Sequence, residues 1–351
     1  MFTDDTGRKN IIVLKRSRRE VCMPKLSGSR QAKIAARTIK NMIVGRPITV
    51  SFEITYNCNA DCKHCDLGRG NYIKEPRTEP AAFANWIADL KPVVAQISGG
   101  EPLLRKDLAD IVRAMRAKDP VAVFVVTTNV QLLNEEKYLK LREAGIDQWS
   151  FSLDYPDVRH NEFRNLKNNF EHIRDLCQTL SKHGNNDILL ACVVQSDNFR
   201  DLPKIAQLAK DWGVGCNFST YNSLRTHNLD YLVSKPEDQK DLEKIVTELV
   251  KMQSDGYPIM TSEWTLRQMI EFFRTGRQKD CKAGSRFMIV NPWAKLTPCG
   301  MFREQYDSRK DLVEKFSQNN TCELCFTAIR ANSEKTPFRM MSDALRVVRQ
   351  K

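Results

Sequence analysis

Short runs of apolar or β-branched residues recur along the chain, at 48–55, 93–98, 121–129, 147–154, 187–195 and 214–220. Between them lie stretches with apolar residues at i, i+3 and i+4: "FANWIADL", "LADIVRAMRAK", "EKYLKLREAG", "FEHIRDLCQTLSKHG" and "LPKIAQLAKDWG". The short runs predict strands and the periodic stretches predict helices with one buried face. Gly145, Gly184 and Gly213 fall where helix C-caps are wanted. Strands alternating with helices pair in parallel, because a parallel neighbour is reached only through a crossover. Six such units are two short of a closed barrel. The pattern therefore predicts an α/β fold, an open partial (β/α)6 TIM-type barrel, with one more helix over 237–255 and a small cysteine-rich C-terminal domain. The expected division is a basic segment over 1–47, the barrel over 48–260 and the C-terminal domain over 261–351.

In such sheets chemistry gathers at the carboxyl ends of the strands. Four signatures fall on that rim. "YNCNADCKHC" (56–65) follows the first strand and carries Cys58, Cys62 and Cys65. "SGGEP" (98–102) ends the second strand, "TTN" (127–129) the third and "SLD" (152–154) the fourth. Three thiolates spaced C-x3-C-x2-C are one short of a structural zinc site, which closes with four ligands. His64 lies between Cys62 and Cys65, where chelating the same ion would strain the loop. A ferredoxin run spaces its first cysteines by two residues and adds a remote fourth. Three ligands without a clear fourth suggest a four-iron cluster with one iron open to a small molecule.

"CNADCKHC" with "GGEP" in the next βα loop resembles the radical S-adenosylmethionine (SAM) superfamily, over roughly residues 48–222. His64 stands where that family usually has an aromatic residue. The resemblance implies that Cys58, Cys62 and Cys65 hold three irons of a [4Fe-4S] cluster whose fourth iron binds SAM. One electron would then cleave a carbon–sulfur bond, and the 5′-deoxyadenosyl radical would take a hydrogen atom from a substrate. Gly99 and Gly100 would let backbone approach the methionyl ammonium. Glu101 would pair with that ammonium or, as a bland alternative, meet a helix N-terminus. Pro102 would start the following helix. Asn129, Ser152 and Asp154 are candidates for ribose or carboxylate contacts, or for turn chemistry. Val193, Val194 and Gln195 end the fifth strand, where the family usually packs the adenine, and Val194 is the candidate there. "HNEFR" (160–164) resembles a segment of family members with a C-terminal auxiliary domain; His160 and Arg164 would order the loop, reach substrate or form a structural salt bridge.

The tail adds Cys281, Cys299, Cys322 and Cys325, the last two as "CELC". Four cysteines ending in CxxC suit zinc. The stretch also resembles the SPASM/twitch region of the same superfamily, which implies an auxiliary [4Fe-4S] cluster. Ala294 stands where that region's hairpin glycine is expected. With no cysteine after Cys325, the one-cluster twitch form fits better. Cys177, Cys192 and Cys216 fall on apolar helix or strand positions and read as core; Cys22 has no assigned role.

Composition narrows the partners. Eleven cysteines with no apolar leader in "MFTDDTGRKN" argue for reduced thiols, hence a cytoplasmic protein. The net charge of +12 is concentrated at the ends: residues 1–50 hold twelve Lys or Arg against Asp4, Asp5 and Glu20. "SGSRQAKIAARTIKNMIVGRP" (27–47) reads as an amphipathic helix with Ala35, Ile39, Met42 and Ile43 on one face. "TPFRMMSDALRVVRQK" (336–351) reads likewise, with Thr336 and Pro337 starting it and Phe338, Met341, Leu345 and Val348 as its stripe. Such stripes usually pack on the core; the alternative is contact with anionic lipid or an anionic substrate. The 47 residues before the first strand are expected to be too short for a leader-peptide-binding domain. The sequence thus points to a radical SAM enzyme acting on an unactivated C–H position of an anionic or amphiphilic metabolite, lipids and isoprenoids included. It would be served by an electron donor such as flavodoxin or ferredoxin, with peripheral contact at an anionic membrane. The alternatives are the same chemistry on a peptide or protein, and a non-catalytic iron–sulfur or zinc protein that binds nucleic acid, for which the rim motifs leave little room. No residue is singled out as catalytic.

Overall fold

The computed structural model describes residues 26–68, 73–336, 338 and 339. Six parallel strands run in sequence order: β1 (Thr49–Thr55), β2 (Val94–Gly99), β3 (Val123–Thr128), β4 (Gln148–Ser152), β5 (Ile188–Val194) and β6 (Gly215–Thr220). Helices return the chain between them: α2 (Pro80–Leu90), α3 (Leu108–Lys118), α4 (Glu135–Ala144), α6 (Asn169–Lys182) and α7 (Leu202–Trp212), with the short α5 (Arg159–Arg164) ahead of α6. Each strand buries alternate residues among helix faces such as Phe83 and Ile87, or Ile111 and Met115. Cys177, Cys192 and Cys216 lie in this core, as expected. Gly145 and Gly213 end α4 and α7 with positive φ. α8 (Pro236–Ser254) and α9 (Glu263–Thr275) follow β6.

The sheet does not end at β1. β7 (Phe287–Val290) pairs with it in parallel, Thr49 opposite Phe287 and Phe52 opposite Val290, and β8 (Leu296–Thr297) pairs with β7 antiparallel. The eight-stranded order is β6-β5-β4-β3-β2-β1-β7-β8, an open barrel. The extra strands were not apparent as barrel units because they are joined by a hairpin without a crossover helix. Ala294 sits at that hairpin with φ of 53°, the left-handed region where glycine is easier. Asn291 holds the turn by accepting from the N–H groups of Trp293 and Lys295. The Trp86 indole anchors it by donating to the Ala294 carbonyl at 2.8 Å.

Residues 298–336, between β8 and the last described residues, pack across the barrel. They include α10 (Arg309–Lys315) and α11 (Ala328–Ser333). Thr220 on β6 donates to the Phe326 carbonyl at 2.6 Å, and Ser333 bonds Thr49 on β1 at 3.0 Å. The cysteine-rich tail is thereby tied to the edge strand β6 and to β1. The expected last helix lies mostly outside the described residues; within them, Arg339 N–H donates to Thr336 Oγ1 at 3.3 Å, a capping bond.

The first helix, α1 (Gly28–Val44), forms where the sequence places it, with Ser27 capping Arg30 N–H and Gly45 in a left-handed C-cap. Its docking face is the reverse of the expected one. Arg30 makes a two-pronged bond to Asp147 at 2.6 Å, Arg37 binds Asp119, and Asn41 is buried with its amide donating to the Pro47 and Lys91 carbonyls. These partners lie at the amino ends of the strands, opposite the motif-bearing rim. Ile39 and Ile43 face solvent. Fixed carboxylates and orphan carbonyls at the barrel floor select the polar side of the helix, because such buried acceptors are costly to leave unpaired.

Asn41→Ala, which strands two carbonyls, is expected to lower the unfolding free energy by about 1–3 kcal/mol in urea denaturation. Ile43→Ala is expected to change it by less than about 0.5 kcal/mol.

Candidate functional site

The loop after β1 is held by the backbone of "GGE". Gly100 N–H donates to the Thr55 carbonyl at 2.8 Å and Glu101 N–H to the Asn57 carbonyl at 2.9 Å. Only glycine fits there. A Cβ on Gly99 would lie 2.0 Å from the Thr55 carbonyl oxygen, and one on Gly100 2.3 Å from that of Asn57. Gly99 also has φ of 128°. The close approach is to the chain leading into Cys58. Pro102 opens a 3₁₀ turn over Pro102–Leu104. The Glu101 carboxylate is fully buried, and accepts from Leu103 N–H at 3.0 Å, Thr128 Oγ1 at 2.8 Å and Asn129 N–H at 2.8 Å. It caps the turn, the blander of its two expected tasks, and ties it to the end of β3. Burial pushes its pKa up, against those three donors.

Asn129 bonds Asn59 Oδ1 at 2.8 Å and reaches Cys58 Sγ at 4.0 Å. The next residue, Val130, is held at φ of 71°, a strained conformation for a β-branched residue. Ser152 closes β4 half-buried. Asp154 is fully buried: it accepts from Arg164 at 2.7–2.8 Å and from Val193 N–H at 3.1 Å. Burial alone would raise its pKa, but Arg164 and the other neighbours outweigh it and hold the carboxyl below its ordinary value.

The second side of the cysteine loop rests on α5. Carbonyls of Arg164 and Phe163 accept from Asp61 and Lys63 N–H at 3.1 Å. The Arg164 guanidinium spans Asp154 and Cys62 Sγ, the latter at 3.8 Å. His64 stacks on Phe163 with centroids 4.9 Å apart, filling an aromatic role. Its Nδ1 is buried without a partner among the described residues. His160 lies inside: its Nδ1 accepts from Asp154 N–H at 3.2 Å, so Nε2 carries the proton toward Asn169 Oδ1 at 3.0 Å. Burial lowers the His160 pKa to about 3 and that of His64 to about 4, so both are neutral near pH 7.

Strand alternation separates the fifth-strand candidates. Val193 lines a cavity of about 200 Å³ with His64, Cys65, Thr220, Tyr221 and Arg225. The Val194 side chain is wholly enclosed in the core, so any contact it makes with a bound molecule would be through its main chain. Gln195 is buried, its amide nitrogen on the Tyr155 hydroxyl at 3.2 Å.

Cys281, Cys299, Cys322 and Cys325 line one cavity of about 280 Å³. It shares Ser219, Arg225, Met301 and Thr327 with the cavity at Cys65, so the two cavities adjoin. Its polar wall is Ser51, Glu53, Gln96 and Ser98 on β1 and β2; Phe287, Ile289, Met301 and Phe302 form an apolar wall. Arg330, fully buried, donates to the carbonyls of Cys325, Gln278 and Lys279 at 2.6–2.7 Å and pairs with Glu334, fixing the loops that carry the tail cysteines.

The thiols suit metal. Burial raises Cys58, pushes Cys62 and Cys299 up to about 12, and raises Cys325. Cys281 and Cys322 share a hydrogen bond that raises the first and lowers the second. Bare thiolates are disfavoured at such positions, whereas a bound metal replaces the proton outright. Among the described residues no three Cys, His, Asp or Glu side chains converge as ligands of one ion would.

Sequence reasoning missed Glu53, Glu75, Asp66, Arg225 and Arg330. Glu75 binds Tyr56 N–H at 2.7 Å and Asn57 Nδ2 at 3.1 Å. Asp66 pairs with Arg225 and Arg303. Glu53 did carry a signal, a charge within the apolar strand "TVSFEIT"; burial raises its pKa. Asp66, Glu75 and Arg225 sit in irregular segments with no periodicity to mark them, and Arg330 lies in α11, six residues and too short to show one.

A family model, "Radical SAM superfamily", matches residues 52–209. The chain is 27% identical to an AdoMet-dependent heme synthase of Methanosarcina barkeri, over 72% of this chain and 77% of that one. It is 22% identical to the antilisterial bacteriocin subtilosin biosynthesis protein AlbA of Bacillus subtilis, over 80% of this chain and 60% of that one. The fold is similar to that of Streptococcus suis SuiB bound to precursor peptide SuiA, with TM-score 0.62 and 15% identity, covering 83% of this chain and 69% of that one. The matched segment runs from the strand before the three cysteines through the loops that grip them, and over that segment the chain carries a radical SAM domain.

Proposed function

We propose that the protein reductively cleaves S-adenosylmethionine and modifies an unactivated C–H position of an anionic or amphiphilic metabolite, lipids and isoprenoids included. The observation that carries this reading is the pair of adjoining cavities, one lined by Cys65 and the other by Cys281, Cys299, Cys322 and Cys325. Cys58, Cys62 and Cys65 would hold a [4Fe-4S] cluster, and Cys281, Cys299, Cys322 and Cys325 an auxiliary one. When bound, the first cluster would supply the electron that splits SAM to a 5′-deoxyadenosyl radical able to take hydrogen from carbon.

The chain's own residues do the positioning. Gly99, Gly100 and Glu101 fix the path into Cys58 by main-chain bonds, and Arg164 steadies Cys62 while neutralising Asp154. Asn129, beside Cys58, and Val193, lining the cavity at Cys65, are proposed to face SAM. Ser152, Asp154 and Val194 would support that surface from behind. The polar β1–β2 wall and the apolar wall suit an amphiphile. Four cysteines at the second site leave no ligand position for substrate, which favours electron relay. A low-potential donor such as flavodoxin or ferredoxin is the expected partner, with peripheral contact at an anionic membrane.

A second reading, the same chemistry on a peptide, is supported by the fold shared with the peptide-bound SuiB. Anaerobic incubation with SAM, dithionite and separated lipid, small-metabolite and peptide fractions distinguishes them: mass shifts confined to the peptide fraction favour the second. A protein that yields no 5′-deoxyadenosine at all would be a binding module, and both readings would fall.

The reconstituted protein should bind about eight irons, four per cubane, and Cys58→Ala/Cys62→Ala/Cys65→Ala about four. Zinc in place of iron at the second site would contradict the auxiliary cluster. Gly100→Ala, which drives a methyl against the Asn57 carbonyl, should also fall to about four irons, with loss of the electron paramagnetic resonance change on adding SAM. Gly28→Ala, with open space around it, should keep both.

A further inference from the structure

The face of α1 turned away from the barrel is apolar and rimmed by cations. At 100° per residue, Ala32, Ala35, Ala36, Ile39 and Ile43 form one stripe, opposite the docked Arg30, Arg37 and Asn41. All five are exposed, Ile39 by 59% and Ile43 by 78%. Lys33 and Lys40, also exposed, lie along one flank of the stripe. The helix contains no acidic residue. Arg46 and Arg309 stand near its carboxyl end, with Asp89 the acid beside them. The 25 residues preceding Leu26 add seven Lys or Arg against three acids.

We propose that this face docks on an anionic phospholipid surface. An amphipathic helix with alanines and isoleucines on one side and lysines at the border lies in the plane of the interface. Its apolar side then enters the acyl boundary while the ammonium groups meet phosphates. Arg30 and Arg37 are spent on Asp147 and Asp119, so they hold the helix in place, with its stripe outward. Among the described residues no helix is long and apolar enough to cross a membrane, and the contact is peripheral. The face lies at the amino ends of the strands, away from the two cysteine-lined cavities. Anchoring is therefore separable from the chemistry, and the inference rests only on the membrane contact proposed with the function.

Vesicle flotation of the full chain tests it, using phosphatidylcholine alone and phosphatidylcholine with equal phosphatidylglycerol at about 0.15 M salt, where surface charge is screened beyond about 8 Å. Flotation with the anionic vesicles only is expected. Ile39→Glu/Ile43→Glu should lower it at least about tenfold, and Lys33→Glu/Lys40→Glu should also lower it, with both variants keeping the wild-type melting curve and yield of 5′-deoxyadenosine. Equal flotation of the wild type and the isoleucine variant would overturn the proposal. So would sedimentation showing a wild-type dimer that this variant converts to monomer, since a second copy would then cover the face. Loss of 5′-deoxyadenosine in the wild type would count against the proposed chemistry and leave the docking result unaffected.

Discussion

The rest of the structure depends on how the chain carrying Cys58, Cys62 and Cys65 is held without regular structure of its own. Two supports grip it through main-chain bonds. On one side the glycines at the end of β2 come so near Thr55 and Asn57 that no side chain could intervene. On the other, the carbonyl end of α5 receives the amides of Asp61 and Lys63. A loop fixed by backbone bonds from both flanks pays its ordering entropy on folding, so its thiols are in place before any cluster or cofactor arrives.

The charges around this loop follow from its burial. Glu101 and Asp154 are both enclosed, yet they are handled differently. Glu101 is met by two backbone amides and a hydroxyl, while Asp154 is met by a full guanidinium. Arg164 thereby contacts a carboxylate and the Cys62 sulfur at once. An uncompensated charge so deep would be costly, and the guanidinium compensates the buried Asp154 carboxylate while also reaching the Cys62 sulfur.

The cysteine-rich tail has a structural task. An open barrel leaves two sheet edges, and exposed edges invite pairing. β7 covers the β1 edge, while Phe326 and Ala328 bond the hydroxyls at the end of β6. The tail cysteines are thus carried across the mouth, facing the Cys65 cavity, by the same bonds that close the fold. Arg330, with no exposed surface, locks the two ends of that crossing together.

Much of this was legible in the chain itself. Alternating strand and helix periodicity marked the open barrel and its crossovers. Fixed spacing marked both cysteine sets, and the positions of Gly99, Gly100, Asn129 and Asp154 at strand ends placed them on one rim. Those features are local, and local pattern suffices for them. The rest was set by contacts between residues far apart in sequence. Val193, and not Val194, lines the cavity because strand alternation needs a known register. Glu101 caps a turn because β3 ends beside it. β7 joins the sheet because a hairpin brings it next to β1. The clearest case is α1, whose apolar stripe predicted a face and whose docking used the other. Which side of an amphipathic helix turns inward depends on what awaits it, and here Asp119, Asp147 and the carbonyls of Pro47 and Lys91 receive arginine and asparagine.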